Sequence, residues 1–122
     1  MPVSWRISEE IVWLESVEPV TFEEWKAAID GALSSKGYRP GMGILHDQRQ
    51  LKQGPSIEEG KARVSFVASR GIRKWAVLAE SPDGYGMGRV GQALSEGTAT
   101  AIRAFRDQAE AEVWLREGQG KV

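Results

Sequence analysis

Two stretches of this 122-residue chain decide its expected fold: Tyr85-Gly86-Met87-Gly88-Arg89 and, further on, Ala104-Phe105-Arg106-Asp107. The first follows the apolar run at 75–79 and leads into a helix. The second ends another strand and passes directly into an amphipathic helix. Asp107 is a suitable N-cap for that helix, and Glu110 completes a capping box. The end of the chain therefore alternates strands and helices as α/β domains do.

The spacing of apolar residues predicts further elements before these stretches. Alternation at 3–7 and an apolar run at 11–14 predict a hairpin. The predicted strands are 3–7, 11–14, 41–46, 75–79 and 98–105. The helices are predicted to begin at Thr21, Ser56, Met87 and Asp107, with a loop at 81–86 before the third.

The predicted order of elements is ββαβαβαβα. Repeated strand–helix units favour parallel pairing with right-handed crossovers. If every crossover runs in the same sense, the helices lie on one face of the sheet. The expected fold is therefore α/β, a two-layer sandwich with a mixed, mostly parallel five-stranded sheet and four helices.

Size and composition are those of one globular domain, expected at 1–117 with a flexible tail at 118–122. The absence of cysteine excludes disulfides, a thiolate nucleophile and cysteine-ligated metal. No apolar run approaches the roughly 20 residues of a membrane helix, and the N-terminus lacks a signal region. We therefore expect a cytoplasmic protein without membrane insertion, metal or cofactor.

Charge is unevenly distributed along the chain. Residues 36–75 carry nine basic and three acidic side chains, a composition that attracts anionic partners. Neither a recognition motif nor a strongly basic domain accompanies this segment, so we expect no nucleic-acid binding. The charges are expected to form the solvated faces of helices and loops.

The chain resembles the SpoIIAA-like, or STAS-like, domains over nearly its whole length. The resemblance is carried by the two stretches above, by Glu110-Ala111 and Trp114-Leu115, and by Ile44-Leu45-His46-Asp47 followed by Arg49. It implies a regulatory or binding module rather than an enzyme. STAS domains bind partner proteins, and some are switched by phosphorylation of a Ser or Thr where the third strand meets the second helix. The related CRAL-TRIO fold holds apolar ligands.

The sequence departs from the phosphorylated STAS pattern at that connection. Asp47 is followed by Gln48-Arg49-Gln50, and the nearest hydroxyl is that of Ser56. With Glu59, Ser56 is expected to cap the second helix, where loss of the hydroxyl typically costs about 1 kcal/mol. A phosphate on Ser56 would meet the positive end of the helix, so phosphorylation is the alternative use.

Residues 86–91 spell G-x-G-x-x-G, the fingerprint of a dinucleotide site. Two observations argue against nucleotide binding. Residues 81–85 separate the strand from the first glycine, and too few residues follow to build the second half of a dinucleotide domain. We therefore expect a flexible loop and a helix that packs closely at Gly91, with nucleotide binding as the alternative.

Polar residues after the predicted third strand form the candidate ligand site. His46, Asp47 and Arg49 lie where open α/β sheets bind ligands, and the 81–89 loop adds Tyr85 and Arg89. His46 is the only histidine, which excludes a histidine-rich metal cluster. A general base also needs a nucleophile and an orienting partner. A structural role for His46 is therefore favoured over a catalytic one.

The second helix carries the candidate interface. At about 100° per residue, Phe66 falls opposite Ile57 and beside Arg63 and Arg70. An aromatic residue flanked by arginines has the composition of an interface hot spot. The alternative is that the helix is rotated or covered, and that Phe66 belongs to the core.

The chain contains five tryptophans, whose default use is in the core. Trp5 is the expected exception because it lies near an edge strand. If the inner tryptophans line a cavity between the sheet and the helices, they favour an apolar ligand.

Three classes of function follow. The first is a non-enzymatic protein-interaction module, including a homodimer, that acts through the helix at 56–70 and the loop at 47–55. The second is a domain for a small apolar ligand or lipid, with its pocket near His46, Arg49 and the 81–89 loop. A hydrolase or nucleotide-dependent enzyme is third. An exposed arginine–aromatic surface favours the first class, and an apolar cavity favours the second.

Overall fold

The computed structural model describes residues 3–17, 20–51 and 55–117, so the predicted tail at 118–122 lies outside the described residues. Within the described part, the elements follow the predicted order. The strands are β1 (Val3–Ser8), β2 (Ile11–Ser16), β3 (Gly43–Asp47), β4 (Lys74–Leu78) and β5 (Ala101–Phe105). The helices are α1 (Phe22–Leu33), α2 (Ile57–Ser69), α3 (Pro82–Leu94) and α4 (Gln108–Arg116).

The strands form one sheet in the order β1-β2-β3-β4-β5. β1 and β2 pair as an antiparallel hairpin, whereas each later strand is parallel to its neighbour. β3 lies in the middle, where Ile44 is in register with Val12 on one side and with Trp75 on the other. The predicted mixed, mostly parallel five-stranded sheet with four helices is confirmed.

Apolar residues cover both faces of the sheet, because successive strand residues point to opposite sides. Ile44 belongs to a cluster that includes Trp25 of α1 and Val67 of α2. The next residue, Leu45, belongs to a second cluster with Leu115 of α4. Helices α1 to α3 therefore share one face, whereas α4 covers the opposite face. This placement corrects the expectation that all four helices lie on one side.

Side-chain caps begin the helices. Thr21 and Glu24 form a reciprocal capping box at the start of α1. Ser56 and Asp107 each accept a hydrogen bond from the backbone N–H three residues later, at 3.1 and 3.0 Å. Each cap satisfies a donor that the first turn of a helix leaves free.

Helix α3 begins earlier than the sequence predicts. Ser81 is its N-cap and accepts a hydrogen bond from the Gly84 N–H at 2.9 Å, while Pro82 occupies the first turn. Proline is favoured there because its missing N–H would have no partner in any case. Residues 81–86, predicted to form a loop, are thus the cap and start of the helix. The glycines of 86–91 lie inside the helix rather than in a phosphate-binding turn.

Gly88 allows α3 to lie close to the sheet. A Cβ at this position would be 3.0 Å from the Ala104 Cβ and 3.3 Å from the Val77 Cγ1. A Cβ at Gly86 would meet nothing within 4 Å. Close packing of α3 on β4 and β5 therefore accounts for Gly88 without a nucleotide.

A Gly88→Val variant is expected to lower the free energy of unfolding by about 1–3 kcal/mol, because overpacking forces α3 away from the sheet. The matched control is Gly86→Ala on the same helix, which is expected to stabilise the protein by about 0.5–1 kcal/mol through helix propensity. Urea denaturation measures both changes. Equal stability of Gly88→Val and the parent would contradict the close approach.

Candidate functional site

A partly open cavity of about 60 Å³ lies between the sheet and helices α2 and α3. Its wall is mainly apolar and includes Trp25, Val67, Trp75, Val77, Met87 and Ile102. Three polar side chains also line it, those of His46, Gln48 and Arg63. Such a mixture, an apolar surface with a few polar groups, is typical of small-molecule sites.

His46 lies on the cavity side of β3 and is 1% exposed. Gln48 donates its Nε2 to the His46 Nδ1 at 3.0 Å, so the ring proton is on Nε2, which donates to the Ser16 Oγ at 2.8 Å. Burial and then the positive charge of Arg63 lower the pKa of His46 from 6.5 to about 3, against the opposing charge of Asp47. The imidazole is therefore neutral, with both nitrogens engaged.

Asp47 and Arg49 lie apart from this cavity. Asp47 follows His46 in the strand and so points to the opposite face of the sheet. Arg49 pairs with it at 2.8 Å and donates to the Gln108 Oε1 of α4 at 3.1 Å. Burial raises the pKa of Asp47, but the hydrogen bonds and charge of Arg49 outweigh burial, and the net shift is downward. The predicted grouping of His46 with Asp47 and Arg49 is thus divided between two faces.

The other two predicted ligand residues do not line the cavity either. Tyr85 is half-buried, and the guanidinium carbon of Arg106 lies 4.3 Å from the centroid of its ring. Arg89 is exposed. Helix α3 instead contributes Met87 to the cavity wall. Of the five predicted ligand residues, His46 is the one that the structure places in the cavity.

Arg63 of α2 turns inward over the cavity, with only 13% of its side chain exposed. Its Nη2 pairs with the Glu59 carboxylate at 2.8 Å, and its guanidinium carbon lies 4.8 Å from the centroid of the Trp25 ring. Its buried Nε has no acceptor among the described residues. Burial lowers the pKa of Arg63, and the charge and hydrogen bond of Glu59 oppose that shift.

Trp25 is the centre of the aromatic part of the wall. Its ring lies 5.6 Å from the Phe66 ring and 5.6 Å from the Trp75 ring, centroid to centroid. The side chain is 1% exposed, and its Nε1 also lacks an acceptor in the part of the chain that the structure describes. Trp25 and Trp75 thus form the tryptophan-lined cavity that the sequence anticipates as one alternative, whereas Trp5 is 40% exposed.

The predicted interface residues do not form one exposed surface. Phe66 packs edge-on against Phe22 of α1, at 6.5 Å between centroids, as well as against Trp25. Arg70 covers the outer side of Phe66 and pairs with Asp30 at 2.8 Å. Helix α2 does not turn Ile57 inward and Phe66 outward, since Ile57 is 56% exposed and Val67, next to Phe66, is buried. Phe66 therefore packs against the core, as the alternative prediction has it.

Arg63 and Gln48 were not identified as cavity residues from the sequence. A signal was present for Arg63, because it lies three residues after Gly60 and four before Val67, on the stripe that α2 turns inward. An arginine on an inward stripe is unusual. For Gln48 no local pattern distinguishes a buried amide from an exposed one.

The described residues contain neither a metal-binding cluster nor a membrane-spanning helix. No group of three or more His, Cys, Asp or Glu residues in 3–17, 20–51 and 55–117 is arranged to hold a metal ion. Over the same ranges, no helix combines the length and the apolar character needed to cross a membrane.

A solved structure matches this arrangement. It is an uncharacterised protein of the DUF3478 family from Shewanella loihica PV-4, described as having a SpoIIAA-like fold. The match has a TM-score of 0.61 at 18% identity and covers 93% of this chain and 91% of that one. The fold is SpoIIAA-like. No protein-family model and no curated protein matches the chain.

In this SpoIIAA-like fold, Ser56 lies in the connection between β3 and α2, where the resemblance places a phosphorylated residue. Ser56 is exposed, and its Oγ caps α2 through the Glu59 N–H. The expected cap is therefore present. Phosphorylation of Ser56 stays a prediction.

Proposed function

We propose that this SpoIIAA-like domain binds a small organic ligand in the cavity between its sheet and helices α2 and α3. The observation that carries the proposal is the wall itself, in which Trp25, Trp75 and Met87 surround three polar side chains. Apolar surface next to a few converging polar groups is what holds and orients a small molecule. Of the two arginines expected beside Phe66, Arg63 turns inward and Arg70 covers the ring, which leaves less apolar surface there for a protein partner.

The size of the cavity favours a ligand smaller than a lipid. About 60 Å³ is well below the roughly 300–1,000 Å³ of sites for drug-sized molecules. A lipid chain would require α2 or α3 to move away from the sheet, and a movement of α2 would break the contacts of Phe66 with α1. The ligand class is therefore a compact molecule with a short apolar part.

The hydrogen bonds of His46 favour ligand binding without catalysis. Both ring nitrogens are engaged, by Gln48 and by Ser16, and the low pKa keeps the ring neutral. A general base must have a free nitrogen within reach of the proton that it removes. We therefore propose that His46 supports the cavity wall and that the domain is not an enzyme.

A protein-interaction role through the beginning of α2 is the second candidate. The observation that favours it is Ile57, which is 56% exposed in the first turn of the helix. Large apolar side chains at the surface are common one at a time. This candidate therefore ranks below the ligand, and a homodimer through this helix is one form of it.

The first test is the intact mass of the protein recovered from its own cells, under native and then denaturing conditions. The native mass is expected to exceed the chain mass by that of a small molecule, which denaturation releases. Gly60→Leu is the matched test variant, because a Cβ at 60 would lie 3.8 Å from the Met87 Cε and a longer side chain fills the cavity. Lys61→Leu, on the exposed side of the same helix, is the control.

Gly60→Leu is expected to lose the added mass, and Lys61→Leu to keep it. A doubled native mass without a small molecule would instead support the interaction candidate. If the parent protein carries no small molecule and its native mass differs from that of Gly60→Leu only by the substitution, the ligand proposal is wrong.

A further inference from the structure

Two buried donors without acceptors lie in one region of the cavity wall. They are the Arg63 Nε and the Trp25 Nε1, and neither donates to any residue in the described ranges. Because the Arg63 guanidinium carbon is 4.8 Å from the centroid of the Trp25 ring, both donors belong to the same small patch. Buried N–H groups nearly always have a partner, so two free donors in one patch call for an acceptor that the described residues do not supply.

Charge in the patch favours an anionic acceptor. Among the described residues of the cavity wall, Arg63 is the only permanent cation, and Glu59 engages its Nη2 while the Nε–H has no acceptor. Glu59 is also displaced toward solvent, with 35% of its side chain exposed against 13% for Arg63. The Nε–H is thus an unused donor of a charged group, and hydrogen bonds from a guanidinium to a carboxylate are among the strong ones.

The imidazole of His46, also in the wall, has little effect on the binding of this anion. His46 is neutral and already bonded to Ser16 and Gln48, so it neither repels a carboxylate nor offers a second cation. The rest of the wall is apolar and suits a short hydrocarbon part. The polar end and the apolar end of the ligand would therefore contact different parts of the cavity wall.

We infer that the ligand is a small organic acid whose carboxylate accepts hydrogen bonds from Arg63 Nε and Trp25 Nε1, with its apolar part against Trp75, Val77 and Ile102. This inference rests on the proposed function and adds the chemical class of the ligand. It assigns Arg63 as the residue that selects for charge.

The test compares butyrate with butyramide and 1-butanol, which keep a similar apolar part and replace the carboxylate by neutral groups. The readout is the indole N–H resonance of Trp25 in the ¹⁵N–¹H spectrum of the intact protein, assigned by its loss in a Trp25→Phe variant. Butyrate is expected to move this resonance downfield and to bind at least about tenfold more tightly than either neutral probe.

Arg63→Met removes the guanidinium while keeping a long apolar side chain, and Arg63→Lys keeps the charge without an Nε donor. Arg63→Met leaves Glu59 without its partner, but it is expected to fold because Glu59 is 35% exposed and stays in contact with water. Its affinity for butyrate is expected to fall at least about tenfold, to that of the neutral probes, with an intermediate value for Arg63→Lys. Lys61→Met, an exposed cation on the same helix, controls for net charge and is expected to bind as the parent does.

The outcomes separate the two levels of the proposal. Equal affinity for butyrate and 1-butanol, with Trp25 shifts for both, would overturn the acid but keep the cavity as a ligand site. Butyrate binding that survives Arg63→Met would overturn the role of Arg63. If no probe moves the Trp25 resonance and no small molecule accompanies the native protein, both the acid and the ligand site are wrong.

Discussion

Acidification from about pH 6.5 to about pH 5 is expected to lower the free energy of unfolding by about 1.5 kcal/mol, through the single histidine of the chain. The unfolded chain binds a proton on His46 below its ordinary pKa of 6.5. The folded protein does not, because burial and the charge of Arg63 lower that pKa to about 3. Each added proton then favours the unfolded state.

The direction follows from the lowered pKa of a base. The stability associated with neutral His46 is fully present above 6.5 and falls as the pH decreases toward 3, the two pKa values of the group. Carboxylates whose pKa values are lowered, among them Asp30 and Asp47, also destabilise the folded state in acid, but only as they become protonated below about pH 4.5. The interval between about pH 5 and 6.5 therefore reports mainly on His46.

Urea denaturation at several pH values, with the parent and a His46→Gln variant, measures the effect. Glutamine keeps an amide that reaches hydrogen-bond partners in the wall but does not titrate. The variant is expected to be less stable at neutral pH and to show almost no change between about pH 6.5 and 5. Equal pH slopes for the two proteins would mean that His46 is accessible to protons in the folded state.

The burial of His46 agrees with the structural role that its place in the sequence favours. A lone histidine at the end of an apolar strand was expected to be structural, and its contacts with Ser16 and Gln48 agree. Ser16 lies 30 positions away in β2, so the partner could not be read from local pattern. The parallel pairing of β2 with β3 brings the two side chains together, and pairing register is a property of the whole sheet.

Element order was predictable for a different reason. Strand alternation and the caps at Thr21, Ser56 and Asp107 are all local signals. The rotation of α2 about its axis was not predictable, because it depends on contacts with α1 and α3. That rotation turns Arg63 inward and Ile57 outward, so it decides which candidate function the helix serves.

The expectation that α4 lies on the same face as the other helices is wrong. The burial of the strand residues explains why. The pairs Ile44-Leu45 and Ala76-Val77 are buried on both faces, so each face of the sheet needs a cover. Crossover handedness governs only the helices that connect parallel strands. Helix α4 follows the last strand and makes no such connection, which leaves it free to occupy the uncovered face.

Leu115→Ala is expected to lower the free energy of unfolding by about 3 kcal/mol, because Leu115 is fully buried where α4 meets the sheet. The matched control on the same helix is Val113→Ala. Val113 is 63% exposed, and its loss is expected to change stability by no more than about 0.5 kcal/mol. Similar effects of the two substitutions would mean that α4 does not cover the sheet through Leu115.

A double-mutant cycle identifies the face. Leu45→Val, within the Leu115 cluster, is expected to couple to Leu115→Ala by at least about 0.5 kcal/mol. Ile44→Val, one residue earlier and on the opposite face, is expected to be additive with Leu115→Ala within about 0.5 kcal/mol. Adjacent residues of one strand thus report on opposite sides of the sheet. Coupling to Ile44 rather than Leu45 would return α4 to the side of the cavity, where it would have to displace α2 or α3 from the site proposed for the ligand.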